Sequence, residues 1–145
     1  MLQKPLTDFK NTRAFSLDYG SQDIQLLTNL KALIEDHYKE NRDPEFYSGL
    51  LSISLKRLNR LVDLYLGSTV YQLLQDRVHL EIIHLLKFTT LSSKQISFDL
   101  GICDPAYLSY CFKRITGLTP MAYRKQYQNL SFFKSQDMKT EIYGS

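Results

Sequence analysis

No apolar run in the 145 residues approaches the roughly 20 positions a membrane helix requires. The opening segment, MLQKPLTDFKNTR, also lacks the apolar stretch of a secretory signal. Cysteine occurs only twice, as Cys103 and Cys111, too little for a disulfide framework, so a reducing cytoplasmic setting is the expectation. Period-two alternation never lasts long enough to build a sheet, which leaves helices. The nearest approach to a metal motif is HLEIIH, but His79 and His84 stand five apart, about 140° round a helix, with no evident third ligand. No cofactor, metal or catalytic group is therefore expected.

What is present is an ordinary globular composition, 43% hydrophobic and 23% charged, enough for one domain or two small ones. The charge is unevenly spread. Residues 1–53 carry six Lys/Arg against eight Asp/Glu, whereas residues 54–134 carry eleven against five. A basic block beside an acidic one suits a polyanionic partner.

Residues 1–22, with Pro5 and Gly20, read as a flexible arm or interdomain linker. Helical spacing begins with Ile24, Leu27, Leu30, Leu33 and Ile34, for which Asp23 is a suitable cap, and ends near Pro44. A short helix over about 44–51 follows. Ser54 caps the next, with Leu55, Leu58, Leu61, Val62 and Tyr65 inward and Gly67 as its stop. Ser68 or Thr69 opens a linker helix to about Phe88, with Val70, Leu73, Leu74, Val78, Ile82, Leu85 and Leu86 inward. Ser92 and Gln95 form a capping box. Asp104 and Pro105 start a further helix, in which Leu108, Cys111, Phe112 and Ile115 are the expected buried stripe. In this reading Cys103, in the turn, and Cys111 are packing groups. Thr119-Pro120 begins a closing helix over about 120–128, and 129–145 reads as a loose tail.

The chain also repeats itself. SLKRLNRLVDLYLGST (54–69) overlays DPAYLSYCFKRITGLT (104–119) without a gap, and a short helix and tight turn precede each segment. On a uniform spacing of 50, Leu51-Ser52-Ile53 pairs with Gly101-Ile102-Cys103. The expectation is an all-α fold of about seven helices, forming two helix-turn-helix units at about 44–67 and 92–117 joined by the linker helix. An αα-hairpin scaffold without a nucleic-acid role would give the same repeat.

The outer faces argue for duplex DNA. The second helix of such a unit enters the major groove, and here the first of them presents Lys56, Asn59 and Arg60, residue types able to read base edges. The second presents Ala106, Ser109 and Tyr110, followed by Lys113 and Arg114 late in the helix, where phosphate contact is expected. An ordinary solvated face has the same composition.

GICDPAYLSYCFKRITGLTPMAYR (101–124) resembles the second helix-turn-helix signature of the AraC/XylS transcriptional regulators, through Gly101, Asp104, Tyr107, Ser109, Phe112, Lys113, Gly117, Thr119, Pro120, Tyr123 and Arg124. Residues 54–86 resemble the more variable first unit and linker, so the likeness spans about 23–128. It implies sequence-specific binding to promoter DNA in successive major grooves. Base contacts are expected from Lys56, Asn59, Arg60, Ala106, Ser109 and Tyr110, and backbone contacts from Ser54, Arg57, Thr69, Lys113, Arg114 and Thr119. RNA polymerase and an N-terminal sensing or dimerisation domain in a longer regulator are the implied partners. Arg77 matches a frequent family arginine, although an ion pair near Asp76 or with Glu81 is equally compatible with the residues. Ile102 and Leu108 stand for usual phenylalanines, Tyr110 for a frequent Arg, Ser93 for a usual Ile or Val, and Ser97 for a usual Ala. The serines are expected to loosen the helix that carries them. The competing function is a helical protein-interaction adaptor that keeps the fold without specific DNA binding.

Overall fold

The computed structural model describes residues 13–143, with side chains over 20–131. Among the described residues there are seven helices and no strand: α1 (Arg13–His37), α2 (Pro44–Leu50), α3 (Leu55–Leu66), α4 (Val70–Phe88), α5 (Ser93–Asp99), α6 (Pro105–Thr116) and α7 (Pro120–Tyr143). No helix there is long and apolar enough to cross a membrane. The chain forms two compact units, divided between Val78 and His79, and α4 supplies residues to both.

Unit 1 is built on α1, α2, α3 and the first part of α4. Leu30, Tyr47, Leu58, Val62, Val70 and Leu74 are fully buried in it. Their spacing follows from helical periodicity: Leu58 and Val62 lie one turn apart on α3, as do Val70 and Leu74 on α4. Asp43 caps α2 by accepting from the Glu45 amide, and Pro44 sits at the first helical position, where its missing N–H costs nothing. The Tyr47 hydroxyl donates to the Asn41 carbonyl, and burial pushes its phenol up from the ordinary value. Arg77 makes a two-pronged contact with Glu35 at 2.7 and 2.8 Å and lies 4.4 Å over the Tyr38 ring. Arg77 thus has a partner on α1, remote in sequence. The hydrogen bond from Arg77, then its charge, holds the Glu35 carboxyl below the usual carboxylate range.

Unit 2 holds the rest of α4 with α5, α6 and α7. Leu86, Ile96, Leu100, Leu108, Phe112 and Pro120 are buried in it. Phe112 meets Tyr123 edge-on at 5.3 Å and His79 at 5.4 Å, so that histidine packs in an aromatic cluster. His84 stacks against Phe88 at 5.0 Å. The expected capping box is present: the Ser92 hydroxyl accepts from the Gln95 amide, and the Gln95 side chain accepts from the Ser92 amide. At the far end of α4, the Arg124 guanidinium donates to the Leu86 and Leu85 carbonyls at 2.9 and 3.3 Å. Both carbonyls lie in the last turn of α4, where that of Leu85 also accepts from the Thr89 amide and hydroxyl, so Arg124 adds donors from α7 to the C-terminal end of α4.

Several expectations are corrected. Residues 13–22 are helical, part of α1, where an arm was expected. No proline interrupts that segment, and Gly20 alone costs only about 1 kcal/mol in a helix. Asp23 lies inside α1 and does not cap it; its carboxylate accepts from the Tyr65 hydroxyl at 3.0 Å. Ile24, expected inward, is 60% exposed. The closing helix runs on to Tyr143, through residues read as a loose tail, because no Pro or Gly stops it before Gly144. Residues 1–12 of the expected arm and 144–145 of the expected tail lie outside the described residues. In α6 the expected stripe is only partly inward. Leu108 and Phe112 are buried, Cys111 is half-buried and Ile115 is 61% exposed. Cys103, expected as a packing group, is exposed.

Ser97 on α5 is 1% exposed, and its hydroxyl has no hydrogen-bond partner. A buried hydroxyl without a partner retains its desolvation cost, and Ala is also the better helix former. Ser97→Ala is therefore expected to stabilise unit 2 by about 1 kcal/mol, seen as a higher urea midpoint. A lower midpoint would show that the hydroxyl is satisfied after all.

Candidate nucleic-acid interface

Each unit contains two helices joined by the same tight turn. In unit 1, the amides of Leu51, Ser52 and Ile53 donate to the carbonyls of Tyr47, Gly49 and Ser48. In unit 2, those of Leu100, Gly101 and Ile102 donate to Ile96, Phe98 and Ser97. Each pair of equivalent residues is 49 apart, so Ser52 corresponds to Gly101. Both occupy the left-handed region, at φ 58° and 67°, where glycine is unstrained and serine is not. The helices that follow stay 50 apart, stopping at Gly67 and Gly117 in left-handed conformation. One residue has therefore entered the second turn, the exposed Cys103. The uniform spacing of 50 is corrected by these hydrogen bonds, which a comparison of residue types alone does not contain.

The helix starts also differ. The Ser54 hydroxyl accepts from the Arg57 amide at 3.1 Å, whereas the Asp104 carboxylate accepts from the Ala106 amide at 2.9 Å, with Pro105 between. Thr69 and Thr119 cap the next helices, accepting from the amides of Gln72 and Ala122. Three of the residues expected on a DNA backbone, Ser54, Thr69 and Thr119, thus already work as N-caps. Each hydroxyl keeps its own proton for donation to a further acceptor.

On the outer face of α3, Lys56, Arg57 and Arg60 are exposed. Asn59 is different. It is half-buried, and its Oδ1 accepts from the Val70 amide at 2.9 Å. That bond takes one of the two lone pairs of the carboxamide oxygen and holds it toward the start of α4, which restrains the carboxamide from turning to an adenine edge. On α6, Ala106 and Tyr110 are exposed, Ser109 is half-buried, and Lys113 and Arg114 are exposed in the last turn, where they also complement the helix dipole. Tyr107 is 60% and Tyr110 62% exposed, one helical turn apart. Tyr107 was not among the expected contacts. Its spacing from Tyr110 was the available signal: two large aromatics one turn apart on an otherwise polar face.

The two faces differ in kind: α3 offers three cations and α6 offers small residues and two tyrosines before its basic end. Each is a largely exposed strip, with half-buried Asn59 on α3 and Ser109 on α6 within it, on a helix held from below by buried Leu, Val and Phe residues. Such a strip can hydrogen-bond base edges, stack or contact methyl groups, and hold phosphates.

The model of the family described as helix-turn-helix domain matches residues 47–126, more than half of the chain. The HTH-type transcriptional activator RhaS of Enterobacter sp. is 29% identical over 99 residues, covering 68% of this chain and 36% of the relative. Histidine kinase P4 of Formosa agariphila is 25% identical over 127 residues, 87% of this chain but 9% of the kinase. The chain thus spans about a third, or less, of these curated relatives. Among solved structures, the DNA-binding domain of AdpA, a global transcriptional factor crystallised with a target DNA, superposes with a TM-score of 0.65 at 26% identity. The superposition covers 71% of this chain and 93% of the AdpA domain. The duplicated capped turn, the all-helical fold and the matched residues agree, and the chain belongs to the helix-turn-helix family of AraC-type transcription regulators.

Proposed function

We propose that α3 and α6 are the recognition helices of a sequence-specific DNA-binding domain, each entering a major groove of promoter DNA. Lys56 and Arg60 on α3, and Ala106, Ser109 and Tyr110 on α6, are assigned to base edges. Ser54, Arg57, Thr69, Lys113, Arg114 and Thr119 are assigned to phosphates. Arg60 suits a bidentate guanine contact, and Ala106 a thymine methyl. The observation that carries this reading is the duplication: each unit puts an N-capped helix, with an exposed polar face, directly after the same turn. The AdpA domain, similar over most of its length, was crystallised on DNA. The activity is non-covalent, with a cytoplasmic location, and RNA polymerase and an N-terminal sensing or dimerisation domain are the further partners it implies.

Selection of bound duplexes from a random pool tests the proposal. The expected result is enrichment of two short half-sites, one for each unit. A pool that never enriches would favour an adaptor that keeps the fold for protein contacts.

A further inference from the structure

We infer that Asn59 is a positioning residue that ties recognition helix α3 to the start of α4, and that Ser109, its counterpart, is released from that task to face DNA. The argument begins with helix termini. The first amides of a helix have no intrahelical carbonyl to bond, and a buried one needs another acceptor. Val70 opens α4 and is fully buried. Thr69 satisfies the Gln72 amide but not that of Val70, and Asn59 supplies the missing acceptor at 2.9 Å.

Fifty residues on, the same problem has another solution. Pro120 stands where Val70 does, opens α7 and is likewise fully buried, but it carries no N–H. Thr119 caps the Ala122 amide just as Thr69 caps that of Gln72. Unit 2 therefore has no orphan amide at this place, and the residue matching Asn59 is Ser109, too short to bridge to the next helix. Unit 1 uses an acceptor from the recognition helix; unit 2 removes the donor. It follows that α3 is pinned through the middle of its recognition face, where α6 is not. The readable positions of α3 reduce to Lys56 and Arg60, whereas α6 keeps Ser109 between Ala106 and Tyr110.

The DNA half of this inference rests on the proposed function; the positioning half does not. The decisive experiment is a double-mutant cycle on the whole chain with Asn59→Ala and Val70→Pro, read by urea unfolding and by duplex selection. Proline is compatible with the first helical position, and Thr69 before it is a capping residue outside the helix, as Thr119 is before Pro120. Asn59→Ala alone is expected to lower the urea midpoint by roughly 1 M. In the Val70→Pro background the same change should have almost no effect, because no amide remains to be satisfied. Asn59→Asp, which keeps an acceptor, should hold the midpoint near the parent value. An equal loss from Asn59→Ala in both backgrounds, or no loss in either, would overturn the positioning role.

Selection with the Asn59→Ala protein should return the parent half-sites with a uniformly lower affinity. A changed preference confined to one base pair of one half-site would make Asn59 a reader and overturn the inference. If neither protein enriches any duplex, the proposed function fails, and the urea cycle still decides the role of Asn59. Ser109→Ala, by contrast, should leave the midpoint in place and relax selection at one base pair of the other half-site. An unrelaxed half-site would overturn the assignment of Ser109.

Discussion

Phe112→Ala is expected to cost unit 2 about 3–5 kcal/mol, comparable with the whole stability of a small unit. The ring is 1% exposed and lies between Tyr123 and His79 at 5.3 and 5.4 Å, so its removal leaves a cavity lined by two aromatic groups. Those groups belong to α7 and α4, which means that the same ring seats α6 on the rest of its unit. Ile115, three residues later and equally apolar, is 61% exposed, and Ile115→Ala should cost less than about 1 kcal/mol. Urea unfolding of the two variants side by side is the measurement. Similar losses would mean that α6 turns Ile115 as well as Phe112 toward the core. The DNA affinity of Phe112→Ala should fall with the folded fraction of unit 2, whereas Ile115→Ala should leave both nearly unchanged.

The second large effect is electrostatic. Arg57, Lys113 and Arg114 are exposed and are assigned to phosphates. Replacing all three with alanine should reduce the slope of log affinity against log salt by roughly 2.7, since each lost phosphate contact removes about 0.9. Between 50 and 200 mM salt, the parent's loss of affinity should exceed the variant's by roughly 40-fold. Stability should change little, because none of the three side chains is buried. Arg60→Ala should behave otherwise, with a loss of about 1–3 kcal/mol in duplex binding and a relaxed preference at one base pair of one half-site. Titrations of one selected and one scrambled duplex across salt separate the two classes. An unchanged slope in the triple variant would remove these residues from the interface.

Much of this architecture was legible before any coordinates because it is set by local rules. Asp104-Pro105, Ser92 with Gln95, Gly67 and Gly117 are caps whose chemistry acts within a few residues, and all take the expected places. The inward stripe of α4 follows from periodicity: Val70, Leu74, Val78, Ile82, Leu85 and Leu86 are buried as expected, and Leu73 is half-buried. The extents of α1 and α7 were less legible, because Asp23 resembles a cap and polar residues near position 129 resemble a stop. Neither is a strong breaker, and the helices continue through both.

Local rules could not decide which of several similar side chains meets a distant partner. Arg77 and Arg124 have the same chemistry as Arg60 and Arg114, yet one pairs with Glu35 and the other donates to the α4 carbonyls. Cys111 and Ile115 follow the same period as Phe112, but the edge of the packed face falls between them. Asn59 has the chemistry of an adenine reader, and only the approach of the Val70 amide across the turn turns its oxygen inward. Most of the helices, the caps between Ser54 and Thr119 and the presence of a duplicated motif follow from the residues alone, since those depend on neighbours within one or two turns. The tertiary structure decided which polar groups remain for a partner, since a buried donor from another segment must be satisfied before a side chain is left to face DNA.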